Sequence, residues 1–193
     1  MTDAFAVGHE LVLSPADAPV TDPVTKFGGQ PVWVGEPAWP LSAELGAPMR
    51  FIGQLCVPGT ADSPPRMAYL FMTQDDDADV EGTWEADGGE NALICRPGQP
   101  APFLRTTAQP EGPTVGPDVH AALLPTSGAQ DSGSHVGGRP AWLQGDETPW
   151  GFSFLLQLDS TMLPFWVNFG DAGIGYAFID HRTGEGRFLW QSA

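Results

Sequence analysis

Proline or glycine interrupts this chain so often that few helices of ordinary length could be drawn through it. There are 20 Pro and 24 Gly among 193 residues, spread without a collagen-like period. Proline lacks the amide donor and clashes with the preceding helical turn, and an internal glycine costs about 1 kcal/mol relative to alanine. The chain therefore reads as many short strands joined by turns, a mainly β protein with minor α content. Two single turns of helix are expected, one capped by Asp118 and running through Val119 to Leu123, the other at Ser42–Leu45.

One breaker-rich string occurs twice. Lys26-Phe27-Gly28-Gly29-Gln30-Pro31-Val32-Trp33-Val34 is matched by His135-Val136-Gly137-Gly138-Arg139-Pro140-Ala141-Trp142-Leu143, 109 residues later. Gly-Gly permits positive φ, and the proline forces the residue before it to be extended, so each string predicts a sharp turn into a Trp-bearing strand. After each follows an apolar strand with an embedded glutamine: Phe51-Ile52-Gly53-Gln54-Leu55-Cys56-Val57 and Phe154-Leu155-Leu156-Gln157-Leu158-Asp159. A third pair is Met67–Met72 against Ile174–Ile179.

The ordered recurrence predicts two diverged β-rich repeats packed as one compact, pseudo-twofold globular unit. Its expected parts are an extended lead-in over 1–25, a first repeat over 26–96, a Pro/Gly/Ser-rich connection over 97–134 and a second repeat over 135–193. Strict alternation puts Phe51, Gly53, Leu55 and Val57 on one face of the first glutamine strand, with Ile52, Gln54 and Cys56 on the other. Phe154, Leu156 and Leu158 oppose Leu155, Gln157 and Asp159 in the second. Both faces are mostly apolar, which predicts central strands covered on both sides. Residues 176–180 and 187–190 read as a C-terminal hairpin around a turn.

Charge narrows the partners. The formal net charge is −16, with one lysine, Lys26, and seven arginines. Such a surface repels nucleic-acid backbone and anionic membrane, and attracts cationic partners. No run of about 18 apolar residues predicts a membrane helix, and Met1–Phe5 lacks the basic region and apolar core of a signal peptide. A cytoplasmic location follows, with Cys56 and Cys95 expected as buried free thiols.

The chemical motifs are sparse. Asp75, Asp77, Asp79 and Glu81 approximate a calcium loop, but Val80 stands where the glycine belongs and Ala86 where the bidentate glutamate belongs. Histidines 9, 120, 135 and 181 form no zinc spacing, and the cysteines form no CxxC. Gly151-Phe152-Ser153-Phe154-Leu155 lacks the last glycine of a nucleophile elbow, and Gly170–Gly175 fits no nucleotide-binding spacing. No metal, cofactor or catalytic residue is therefore assigned. The paired glutamines stand out, because a buried amide left unsatisfied costs roughly 1–3 kcal/mol. Either each pins its own Gly-Gly turn, or Gln54 and Gln157 face a ligand beside Asp159, Asp171, Trp39 and Trp166.

Taken in order, Lys26–Pro31, Trp39-Pro40, Phe51–Leu55, Gly137–Pro140, Phe154–Asp159 and Gly170–Gly173 resemble the YwqG-like family of uncharacterised bacterial proteins. The resemblance runs from about Lys26 to Ile179. It implies a duplicated, mostly-β fold without an assigned activity. Some of that family stand among toxin and immunity genes, which implies a binding role.

Two functional readings stay open. The first is a non-catalytic, immunity-like binding protein whose acidic loop, at Asp75, Asp76, Asp77 and Asp79, meets a cationic protein. The second is a small-molecule-binding protein or hydrolase with a site between the repeats for a polar ligand.

Overall fold

The computed structural model describes residues 7–75, 80–126 and 133–193. Among them the chain is mainly β, with one short 3-10 turn at Ser160–Met162. Ten strands close an antiparallel barrel: β1 (His9–Pro15), β2 (Lys26–Phe27), β4 (Arg50–Val57), β5 (Arg66–Met72), β6 (Asn91–Arg96), β8 (Val119–Pro125), β9 (His135–Val136), β10 (Ser153–Asp159), β11 (Ile174–Asp180) and β12 (Glu185–Gln191). The other two, β3 (Trp39–Leu41) and β7 (Arg105–Thr107), pair as a small outer sheet. Closure removes the exposed edges that an open sheet would leave for aggregation.

The ring reads alike in both directions from the β1–β8 pair. One arm runs β8-β2-β4-β5-β6, the other β1-β9-β10-β11-β12, and they meet where β6 lies against β12. Matching detail follows this order. Lys26 and Phe27 pair with Gln54 and Gly53, as His135 and Val136 pair with Gln157 and Leu156. The amide of Gly28 donates to Ile52 at 2.8 Å, and that of Gly137 to Leu155 at 2.9 Å.

Two expectations about the ends and middle of the chain change. The lead-in holds β1 and the connection holds β7 and β8, so both contribute barrel or outer-sheet strands. Val119–Leu123 is strand rather than helix, because β8 is hydrogen-bonded on both sides, to β1 and β2. Tertiary pairing overrides the local alanine-rich propensity. Ser42–Leu45 does form a turn, closed by the Ser42 hydroxyl accepting from the Leu45 amide at 2.9 Å. The C-terminal hairpin is β11–β12.

The barrel interior is filled by side chains from nearly every strand, among them Phe27, Leu55, Leu70, Leu93, Leu156 and Phe188. Each such fully buried side chain contributes about 1.5–3 kcal/mol. Two further clusters lie on the opposite face of the strands. One gathers Trp39, Met49, Phe51, Tyr69, Phe71 and Ile94, the other Ile174, Tyr176, Phe178 and Leu189. Alternation along β5 separates the layers, Met67, Tyr69 and Phe71 outward and Ala68, Leu70 and Met72 inward.

The glutamine strands depart from strict alternation. A bulge between Phe51 and Gly53, and another between Phe154 and Leu156, shift the phase by one residue. Phe51 and Phe154 therefore join the outer clusters, while Ile52 and Leu155 join the interior. The expected faces hold from Leu55 and Leu156 onward and fail before the bulge. Cys56 is exposed, against the expectation of two buried thiols, while Cys95 is buried. The tryptophans after the Gly-Gly turns also lie in irregular segments, not strands.

Those segments pack flat on the outer clusters with closely similar geometry. Trp33 lies 4.5 Å from Tyr69 at 35°, and Trp142 lies 4.4 Å from Tyr176 at 36°. The stacked contacts to Phe71 and Phe178 are 6.1 Å at 16° and 5.9 Å at 13°. Burial pushes both phenols up to about 12 from an ordinary 10, opposed by backbone amides of Val34 and Leu143. In each, the folded state favours the neutral phenol, so this stabilisation is complete below pH 10 and lost as pH rises toward 12. Since the chain has two tyrosines, phenolate absorbance should stay low until about pH 12 and then rise together with unfolding. Absorbance following an ordinary titration at pH 10 in folded protein would contradict the packing.

Each glutamine bridges the two sides of its turn. Gln54 Oε1 accepts from the Val32 amide at 2.8 Å, and its Nε2 donates to the Val24 carbonyl at 2.9 Å. Gln157 repeats this with the Ala141 amide at 2.8 Å and the Gly133 carbonyl at 2.9 Å. Gln54→Leu or Gln157→Leu should each cost about 1–3 kcal/mol in urea unfolding, because backbone groups lose their partners. Unchanged midpoints would show that water takes over the glutamines' role.

Candidate functional site

A groove of about 600 Å³ lies beside the first Gly-Gly turn. Its size falls within the range of small-ligand sites. Three pieces of chain frame it: 19–21, 29–33 and 111–118. The second and third are tied together. Gln30 donates to the Gly112 carbonyl at 2.9 Å and accepts its amide at 3.0 Å, and the Trp33 indole donates to Pro110 at 2.9 Å.

Beneath this wall sits the lone lysine. Lys26 Nζ is fully buried, pairs with the Asp118 carboxylate and donates to the Gly28 carbonyl at 3.1 Å. Asp118 reaches its partner across Gly29, whose φ of +59° suits glycine. A methyl group there would collide with the Asp118 carboxylate. In the other arm His135 replaces the lysine, with ring nitrogens 3.2 Å from the Gly133 carbonyl and 3.0 Å from that of Arg139. There Gly8 lies beside Gly138 where Asp118 lies beside Gly29.

The residues singled out from the sequence occupy separate places. Gln54 and Gln157 are buried and have both ends of their amides engaged by backbone, each on its own turn. Asp159 caps the 3-10 turn through the Thr161 amide at 3.0 Å and hydroxyl at 2.7 Å. Asp171 is exposed on the loop before β11, where its carbonyl accepts from Ala193. Trp39 is buried, its indole donating to Met49 at 2.7 Å, whereas Trp166 is 62% exposed. Asp75 is exposed, and Asp76, Asp77 and Asp79 lie outside the described residues.

Sequence reasoning missed the groove because its walls come from positions about 80 residues apart, and the Gln30–Gly112 clamp leaves no local signature. It also missed Glu90, a buried carboxylate that ends the acidic loop. Glu90 accepts the hydroxyls of Ser42 and Thr73 at 2.6 Å each and the Glu44 amide at 2.7 Å, so it fastens the loop to the barrel. No group of three or more His, Cys, Asp or Glu side chains among the described residues could hold a metal ion. Among them, no helix is long and apolar enough to cross a membrane.

No protein-family model matches the chain, and no curated protein does. The site is therefore read from its own chemistry. Asp118→Ala should cost about 3–5 kcal/mol by leaving the Lys26 ammonium buried and unpaired. The double variant Lys26→Met, Asp118→Leu should recover most of that in chemical denaturation. Equal losses in both variants would show that the pair's charge is not what its burial costs.

Proposed function

We propose that this chain is a non-catalytic binding protein whose acidic surface receives a cationic partner. The supporting observation is where its few basic groups go. Lys26 is buried against Asp118, and Arg66 donates to the Pro97 and His181 carbonyls. Arg96 and Arg105 bond the carbonyls of Gly98 and Ser42, and Arg187 pairs with Glu185 between two phenylalanine rings. Carboxylates such as Glu10, Asp22, Glu36, Asp62, Glu81, Asp87 and Glu111 remain exposed. Arg105, Arg139 and Arg182 are exposed, but the exposed carboxylates far outnumber them, so the outward field is acidic.

A second reading, binding of a small polar molecule, is favoured by the groove beside Asp118. Under either reading, we take 26–96 and 135–193 as diverged copies of one motif. A YwqG-like kinship belongs to the same proposal, because that resemblance implies a duplicated, mostly-β fold.

The binding reading has a direct test. A partner captured from the source extract, purified and titrated, should be basic, and its affinity should fall roughly tenfold between low salt and physiological ionic strength. Neutralising Glu81, Glu85 and Asp87 together should weaken it further. A neutral or acidic partner, or affinity indifferent to salt, would contradict the proposal.

A further inference from the structure

The two arms differ most where their outer clusters are covered. Over the first cluster lies the β3–β7 sheet, with Trp39 of β3 wholly buried 5.2 Å from Phe71. Among the described residues no second two-stranded sheet lies over the other cluster. Trp142 and Phe154 there are half-buried, as is Phe152, whose ring already carries the Arg187 guanidinium at 4.9 Å.

Each arm also has a second tryptophan a few residues beyond its stacked one. Glu36-Pro37-Ala38-Trp39 in the first arm is echoed by Glu147-Thr148-Pro149-Trp150 in the second. Trp39 is 0% exposed, but Trp150 is 98% exposed. A tryptophan six residues after Trp33 is packed in one arm, and one eight residues after Trp142 is bare in the other.

Trp150 does not stand on a loose loop. Gln191 Oε1 accepts the amides of Leu143 and Gln144 at 3.1 and 2.9 Å, and its Nε2 donates to Gly145 and to the Glu147 carboxylate at 2.8 and 3.0 Å. Asp146 Oδ1 accepts from the Thr148 amide at 2.9 Å, and the Phe152 amide closes a turn onto Pro149 at 3.1 Å. An indole held in water at the tip of a fixed turn is pre-organised for contact, and tryptophan is the residue type most enriched at binding hot spots. Loop residues 143–152 carry two carboxylates, Asp146 and Glu147, and no base, and Leu143 is 41% exposed beside them.

We propose that the Trp150 loop and the half-covered aromatic cluster under it form a docking surface for an extended, arginine-bearing segment of a protein partner. The segment takes over the cover that β3–β7 gives the first arm. Its guanidinium groups meet the Trp150 face and the Asp146 and Glu147 carboxylates, an arrangement suited to a planar cation that stacks and forms hydrogen bonds. This rests on the cationic-partner reading and names its place.

The test is an NMR titration at physiological salt with a seven-residue peptide of alternating arginine and valine, and with its citrulline counterpart. The arginine peptide should shift the Trp150 indole N–H and the Leu143 and Trp150 amides, and the citrulline peptide should bind about tenfold more weakly. Trp150→Ala should weaken binding about tenfold with an unchanged melting temperature, and Trp150→Phe should lie between. Binding that shifts other acidic surfaces, or survives Trp150→Ala, overturns the docking surface and leaves the cationic-partner reading standing. No binding of the arginine peptide even at low salt overturns both.

Discussion

The buried glutamine on the third strand of each arm is the contact on which much of the remaining structure depends. A closed barrel supplies its own interior, but the outer face of its strands must also be covered, and here irregular chain supplies the cover. Irregular chain has unpaired backbone groups. Gln54 and Gln157 satisfy those groups from within the sheet, one amide reaching both sides of each Gly-Gly turn. The tyrosines complete the fastening, with hydroxyls donating to the Val32 and Ala141 carbonyls at 2.9 and 2.7 Å. Turn, tryptophan and outer cluster are thereby fixed to the barrel wall.

Holding both arms by the same device leaves other positions free to differ. The first arm adds a buried ion pair, Lys26–Asp118, where the second uses a histidine bonded to backbone carbonyls. The first covers its cluster with β3–β7, while the second leaves Trp150 in solvent. Most of the few basic side chains are absorbed in such internal roles. The acidic exterior and the bare indole are thus two consequences of one division of labour, in which polar and aromatic residues needed for the fold are inside it. What remains outside is available for recognition.

Much of the architecture is legible in the sequence, for reasons tied to particular residues. Proline and glycine exclude long helices, the apolar run at 67–72 recurs at 174–179, and the paired glutamines mark the turns they hold. Strands β1 and β8 were hidden because half of each is exposed and their short apolar patterns, Leu11–Leu13 and Val119–Leu123, carry no local sign of a partner. Their pairing with each other joins residues more than a hundred positions apart. The bulges were invisible because they depend on opposing register, not on composition. For the candidate site the sequence yielded the acidity and the residue types. The groove and the exposure of Trp150 arise from contacts, or their lack, between distant segments.

Native-state hydrogen exchange at two amides tests most directly whether the glutamine clamps hold the outer chain as part of the barrel. Val32 and Ala141 lie outside the barrel strands, yet each donates to a buried glutamine oxygen. If the clamps act as described, both amides exchange with free energies close to global unfolding, like those of β5 and β11. Exchange at the rates of ordinary surface loops, with β5 and β11 still protected, would contradict the account.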